Sequence, residues 1–231
     1  MNPYVRIYRF LYDTYGPQGW WPLIDFEGEN PTRTGIIHGY HPLRYDLPRT
    51  REEIFEICAG AILTQNVSWA NVEKALLSLR SLRSLSPEGI LALDSDLLKD
   101  AIRPAGYYNV KSRKLREFAV FYLSLAGQIP SRGDLLQVWG IGPETADSML
   151  LYAYRVPVFV IDAYTRKVFG NLGLIDRDAG YDTIRAIFEG NIPRDFIIFQ
   201  EYHALIVEHA KRFYGRSCDP ALDPLYQHLR K

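Results

Sequence analysis

An all-α fold is predicted for this chain, and three observations predict it. Apolar residues recur at spacings of three and four in six separate stretches, strict alternation is confined to the six residues before Asp162, and a glycine hairpin joins two helix-like segments at residues 140–142. The first stretch is Tyr4, Ile7, Tyr8, Leu11 and Tyr15, one face of an N-terminal helix. Ile54, Ile57, Cys58, Ala61 and Ile62 follow, then Val72, Ala75, Leu76 and Leu79, then Leu115, Phe118, Ala119, Tyr122 and Leu125. Ile184, Ile187 and Phe188 mark a fifth helix, and Ile197, Tyr202, Leu205, Ile206 and His209 a sixth. The run Val156-Pro157-Val158-Phe159-Val160-Ile161 is too short for a sheet and reads as a buried linker. No tandem repeat or low-complexity segment is present.

The hairpin is Leu135-Leu136-Gln137-Val138-Trp139-Gly140-Ile141-Gly142-Pro143-Glu144-Thr145-Ala146. Gly140 and Gly142 flank one apolar residue and permit a tight turn, and Pro143 suits the first position of a new helix. Free amides and the positive end of the helix dipole at such a start suit a phosphate, although the same GxG also serves as an ordinary αα-turn. Asp162 opens the segment Ala163-Tyr164-Thr165-Arg166-Lys167-Val168-Phe169, whose first turn its carboxylate can cap.

Composition narrows the class. A chain of 231 residues can bury one substantial core or two packed lobes. It has no apolar run of roughly eighteen residues, so no membrane span is expected. Met1-Asn2-Pro3-Tyr4-Val5-Arg6 lacks a signal-peptide pattern, and Cys58 and Cys218 form no disulfide framework; a cytoplasmic monomer is expected. With 27 basic and 27 acidic residues the net charge is zero, which argues against broad electrostatic coating of a polyanion but allows local basic faces. Lys111, Arg113, Lys114 and Arg116 form one candidate face, Arg166 and Lys167 a second, and Lys211, Arg212 and Arg216 a third. Each group also reads as solvated helix surface.

The combination Leu-x-x-x-Trp-Gly-Ile-Gly-x-x-Thr-Ala followed by Val-Pro-x-x-x-x-Asp resembles the helix-hairpin-helix and Gly/Pro-Asp signature of the endonuclease III superfamily of DNA glycosylases. Ala61-Ile62-Leu63-Thr64-Gln65-Asn66 resembles the family segment that fills the gap left by a flipped base. Ala105-Gly106-Tyr107-Tyr108-Asn109-Val110-Lys111-Ser112-Arg113-Lys114 resembles the stretch before another core helix, and Tyr214-Gly215-Arg216-Ser217-Cys218 the entry to the iron–sulfur loop. The likeness spans roughly residues 52–218. It implies a two-lobed helix-hairpin-helix fold with the active-site cleft between the lobes. Residues 52–160 form the central bundle with the hairpin at about 132–154, and residues 1–51 with 161–231 form the second lobe.

Two departures matter. Glu144 stands where bifunctional members carry the lysine that attacks the sugar, and a glutamate forms no Schiff base. Two cysteines cannot supply a four-thiolate cluster, so no cofactor and no metal are expected; Cys58 reads as core, and Cys218 as a relic ligand or a buried thiol. Loss of both features resembles the type III 3-methyladenine DNA glycosylases, which also carry Trp-Trp-Pro near the N-terminus and an aromatic after Leu-Thr-Gln-Asn. Trp20-Trp21-Pro22 and Trp69 match. The longer stretch from Leu23 to Thr50, rich in Gly and Pro, is either an ordered excursion or a flexible loop at the pocket rim.

The resemblance implies a monofunctional enzyme that hydrolyses the N-glycosidic bond of a flipped-out N-alkylated purine in double-stranded DNA during base excision repair. Expelling a base leaves cationic charge on the sugar, which a carboxylate stabilises, and Asp162 is the candidate. A second carboxylate is not evident in the sequence, which suits a base that is already cationic. Trp20, Trp21, Pro22 and Trp69 are the candidate base pocket, with core packing as the competing role for the tryptophans. Gln65 with Asn66 is the candidate wedge into the vacated stack, or simply a helix end. Gly140, Ile141, Gly142, Glu144, Thr145, Lys111 and Lys167 are the candidate backbone contacts, while Tyr107, Tyr108, His203 and His209 are assigned to core or interface. The alternatives are a glycosylase for mismatched or oxidised bases, with polar pocket residues, and a noncatalytic DNA-docking module in which Asp162 is dispensable.

Overall fold

A computed structural model describes residues 2–32, 38–215 and 219–230. Helix α1 (Pro3–Tyr15) starts where the Asn2 side chain accepts the Tyr4 N–H at 2.9 Å, and it buries Tyr4, Ile7 and Leu11 as its spacing predicts. Helix α2 (Arg51–Leu63) opens with a capping box of Thr50 and Glu53. Its sequence shows a single apolar stripe, yet every residue from Phe55 to Leu63 is buried, because neighbours enclose this helix on all sides.

Around α2 lie α3 (Trp69–Ser81), α6 (Tyr108–Ser124) and α8 (Pro143–Ser148). The short helices α4 (Pro87–Ala92) and α5 (Ser95–Ala101) pack on α6, and α7 (Arg132–Gln137) packs on α8. Helix α8 continues into a π-helical turn, Met149–Ala153. Helix α1 packs on α10 (Tyr181–Asn191), α11 (Phe196–Phe213) and α12 (Leu225–Arg230), α9 (Ala163–Asn171) packs on α11, and α11 meets the π turn. Among the described residues strand pairing is limited to one isolated bridge, Glu29 with His38. The linker before Asp162 is unpaired and buried from Val158 to Ile161. None of the described helices is long and apolar enough to cross a membrane.

The described part of the 23–50 stretch is an ordered excursion. Glu56 of α2 accepts the Ile24 N–H at 2.7 Å, His41 Nε2 lies 2.8 Å from the Trp21 carbonyl, and Leu23, Tyr40 and Leu47 are buried. Glu201 of α11 also holds this segment, accepting the Gln18 N–H at 2.7 Å and the Tyr45 O–H at 3.0 Å.

Candidate active site

Asp162 caps α9, its Oδ1 accepting the Thr165 N–H at 2.7 Å. Oδ2 lies 3.5 Å from His203 Nε2, and the aspartate side chain keeps 13% of its surface exposed. Burial raises its pKa, but the His203 imidazole and the Thr165 amide outweigh that and hold the carboxyl below its ordinary range. Glu144, second residue of α8, keeps solvent access. The protein packed around it, and next the charge of Asp162, nevertheless push its carboxyl up to about 7, against the opposing pull of His203 and Arg166. Glu144 is therefore a carboxyl that the charge of Asp162 reaches through space.

Trp20, Trp21 and Trp69 converge. Their ring centroids are separated by 5.1 Å (Trp20 to Trp21), 4.9 Å (Trp20 to Trp69) and 5.3 Å (Trp21 to Trp69). Trp69 meets Trp20 at 68° and Trp21 at 89°, so the rings pack edge to face. Trp21 lies against α2 at Gly60, where an added Cβ would come within 2.9 Å of the indole nitrogen. From Trp21 the contacts run on to Tyr152 at 5.5 Å, and from Tyr152 to His203 at 5.9 Å, which brings the aromatic cluster to the Asp162 pair. The indole N–H groups of Trp21 and Trp69 are buried without a hydrogen-bond partner. A cavity of about 240 Å³ is lined by Pro22, Trp69, Glu73 and His38 among others; Asp162 is not in its wall.

Comparison with known proteins identifies the family. The family described as HhH-GPD superfamily base excision DNA repair protein matches residues 59–194. The chain belongs to the HhH-GPD superfamily. Its relative MJ1434 of Methanocaldococcus jannaschii, whose name assigns it provisionally to the DNA repair glycosylases, is 41% identical over 219 residues, covering 90% of this chain and 87% of that protein. Endonuclease III of Sulfolobus acidocaldarius is 29% identical over 177 residues, covering 73% and 77%. The 3-methyladenine DNA glycosylase MagIII of H. pylori bound to 1,N6-ethenoadenine shares the fold with a TM-score of 0.67 at 22% identity, covering 91% of this chain and 98% of that one. A noncovalent endonuclease III–DNA complex also aligns with a TM-score of 0.67, at 20% identity over 80% and 88%. The protein is thus an HhH-GPD DNA glycosylase of base excision repair, all-α and two-lobed.

In this glycosylase the hairpin turns at Gly140, whose φ of +83° is left-handed and where an added Cβ would come within 2.6 Å of Lys114. Gly142 caps α8 with Pro143 in its first turn. Ile141 is buried, so only its backbone can face a phosphate, and the Thr145 hydroxyl accepts the Gln65 amide N–H at 2.8 Å. Gln65 is further held by Lys114 Nζ, which donates to its Oε1. Asn66, by contrast, is exposed with a φ of +57° at the tip of the loop.

One expectation needs correction, and one choice between two roles is decided. Lys111 is buried, and its ammonium donates to the carbonyls of Leu63 (2.8 Å), Gln65 (2.9 Å) and Ala105 (2.8 Å). It closes the C-terminal end of α2 and is not free to contact phosphate. Tyr107 is no core residue: it is 71% exposed with a φ of +45° beside that loop. Lys167 is exposed and donates to the Tyr214 carbonyl.

His203 was missed as a site residue because its partner stands 41 positions earlier in the chain. One signal was available. Helix α11 is buried along most of its length yet carries Gln200, Glu201, His203, Glu208 and His209, and buried polar side chains need a reason. The donor set does not fit a four-thiolate cluster: Cys58 is fully buried in α2, and Cys218 lies outside the described residues.

Proposed function

We propose that this HhH-GPD protein is a monofunctional DNA glycosylase that hydrolyses the N-glycosidic bond of flipped-out N-alkylated purines of the 3-methyladenine kind, without an iron–sulfur cluster. The convergence of Trp20, Trp21 and Trp69, joined through Tyr152 and His203 to Asp162, is the observation that carries this reading. An alkylated purine is cationic and electron-poor, and indole faces attract it. The edge-to-face rings part to admit it. Bond cleavage leaves an oxocarbenium-like sugar, which the Asp162 carboxylate stabilises while it orients the attacking water. A cationic base departs neutral and needs no proton.

The hairpin amides around Gly140 and Gly142 hold the strand, and Asn66 with Gln65 fills the vacated stack. With glutamate at position 144 the protein has no amine nucleophile there, so strand cleavage by that route is not expected. The shared fold with a solved 3-methyladenine DNA glycosylase supports this reading, as does the glycosylase name of the M. jannaschii relative.

Glu144 favours a second reading. A carboxyl titrating at about 7 next to an ionised Asp162 is suited to protonating a neutral leaving base, such as a mismatched or oxidised one. Base release from alkylated, mismatched and 8-oxoguanine duplexes by wild type, Asp162→Asn and Glu144→Gln decides between them. On the first reading only alkylated DNA is processed and Glu144→Gln retains activity; on the second, excision declines as pH rises through about 7 and Glu144→Gln loses it. Full-rate release by Asp162→Asn would remove the mechanism. Glu144→Lys should introduce some lyase character, and borohydride trapping without a covalent adduct would count against that.

A further inference from the structure

His203 occupies the centre of α11 and is 6% exposed. Its Nδ1 lies 2.7 Å from the Tyr152 hydroxyl, which donates to the Gln200 carbonyl at 3.2 Å. Its Nε2 is buried with no hydrogen-bond partner, and it faces Asp162 Oδ2 at 3.5 Å, too far for a good N–H···O bond. An unmatched buried polar group is costly, and here it is kept beside the carboxylate that the glycosylase reaction requires. Catalytic hydrogen bonds are often long before substrate binds and tighten in the complex.

We propose that His203 is a positioning residue for Asp162: its Nε2 stands 3.5 Å from Oδ2 in the free protein, where it already acts on that oxygen, and closes onto it as an N–H donor when DNA fills the site. The contact fixes the plane of the carboxylate while the Thr165 amide holds Oδ1. No proton passes to the carboxylate, which keeps its negative charge for the sugar. Each oxygen keeps a second lone pair for the cation and the water. Around the pair stand Glu144 on α8, Tyr164 and Arg166 on α9, Tyr152 on the π turn and Glu201 on α11, so Glu144 is the neighbour whose titration overlaps a pH profile of the site.

This role rests on Asp162 as the catalytic carboxylate, but not on the identity of the base. The first measurement therefore uses free protein: carboxyl carbon NMR titration of Asp162, assigned with Asp162→Asn. His203→Leu should raise the Asp162 titration by about one unit, and His203→Gln, whose amide N–H can stand near the position of Nε2, should leave it close to wild type. The second is single-turnover excision of whichever base the wild type releases. His203→Leu should lose about 100-fold in rate with unchanged DNA affinity and an acid limb moved to higher pH, and His203→Gln should recover most of the rate.

An Asp162 titration unmoved in folded His203→Leu overturns the proposal, as does an equal rate loss in both variants that follows their melting temperatures. If His203→Leu does not fold, Tyr152→Phe decides: a smaller loss with the same upward shift supports the role, and no change overturns it. A wild type that spares alkylated purines defeats the substrate reading alone, because the titration still answers for His203.

Discussion

Helix α11 carries two histidines, each set between a tyrosine and an aspartate, and the two constellations differ in how completely they are closed. His209 Nε2 lies 2.9 Å from Asp223 Oδ1, Tyr15 reaches its Nδ1 at 2.9 Å, and Asp223 further accepts the Tyr214 O–H at 2.6 Å and the Leu225 N–H at 2.8 Å. Both side chains of that pair are fully buried. His203 has its tyrosine at 2.7 Å but stands 3.5 Å from an aspartate that is 13% exposed. A satisfied network fastens structure; the one left a fraction of an ångström open retains a carboxylate with coordination to spare. The closed one holds the segment after α11, in a chain whose cysteines cannot build a cluster there.

Breaking the closed network should give the largest effect. Asp223→Ala strands a buried imidazole and a buried phenol and should cost about 3–5 kcal/mol in urea unfolding, with excision retained wherever the protein is still folded. Asp162→Asn should do the reverse, lowering base release by about 10²–10³-fold with the melting temperature almost unchanged, because asparagine caps a helix as aspartate does.

Glu56 sharpens the contrast as a buried carboxylate given an amide and no cation. Burial pushes it from 4.5 up to about 7, so the folded protein holds more protons than the unfolded chain across that window, and stability falls as pH rises through it. Glu56→Gln should flatten that slope by about 3 kcal/mol between the two ends, read from urea midpoints across the pH range. Lys111→Met should cost about 1–2 kcal/mol in the same unfolding measurement, from carbonyls left unmatched, while the salt dependence of DNA binding keeps its slope; a slope reduced by about 0.9 would return Lys111 to the phosphate contacts.

Much of this was legible locally. The hairpin, the cap at Asp162 and the helical spacings depend on residues within a few positions of one another, and each forms where the spacing puts it. Lys111 misled because a basic residue near other basic residues looks the same in sequence whether its ammonium meets solvent or three carbonyls. Tyr107 was left between core and interface, because an aromatic beside a core helix gives no sign that a left-handed φ turns it outward. Glu144 was legible as the absence of an amine but not as an acid titrating near neutrality, because that follows from the protein packed around it and then from the charge of Asp162.

Sequence alone determined the all-α class, the hairpin with its glycine turn, the carboxylate at the start of α9 and the glutamate that stands at position 144, since short-range sterics and side-chain type decide those. Tertiary structure decided which buried polar groups find partners. Trp20 and Trp69 meet across 49 positions, and His203 faces Asp162 across 41. Such pairings follow from how helices cross, and a deficit of one hydrogen bond at 3.5 Å is a property of packing that no spacing along the chain encodes.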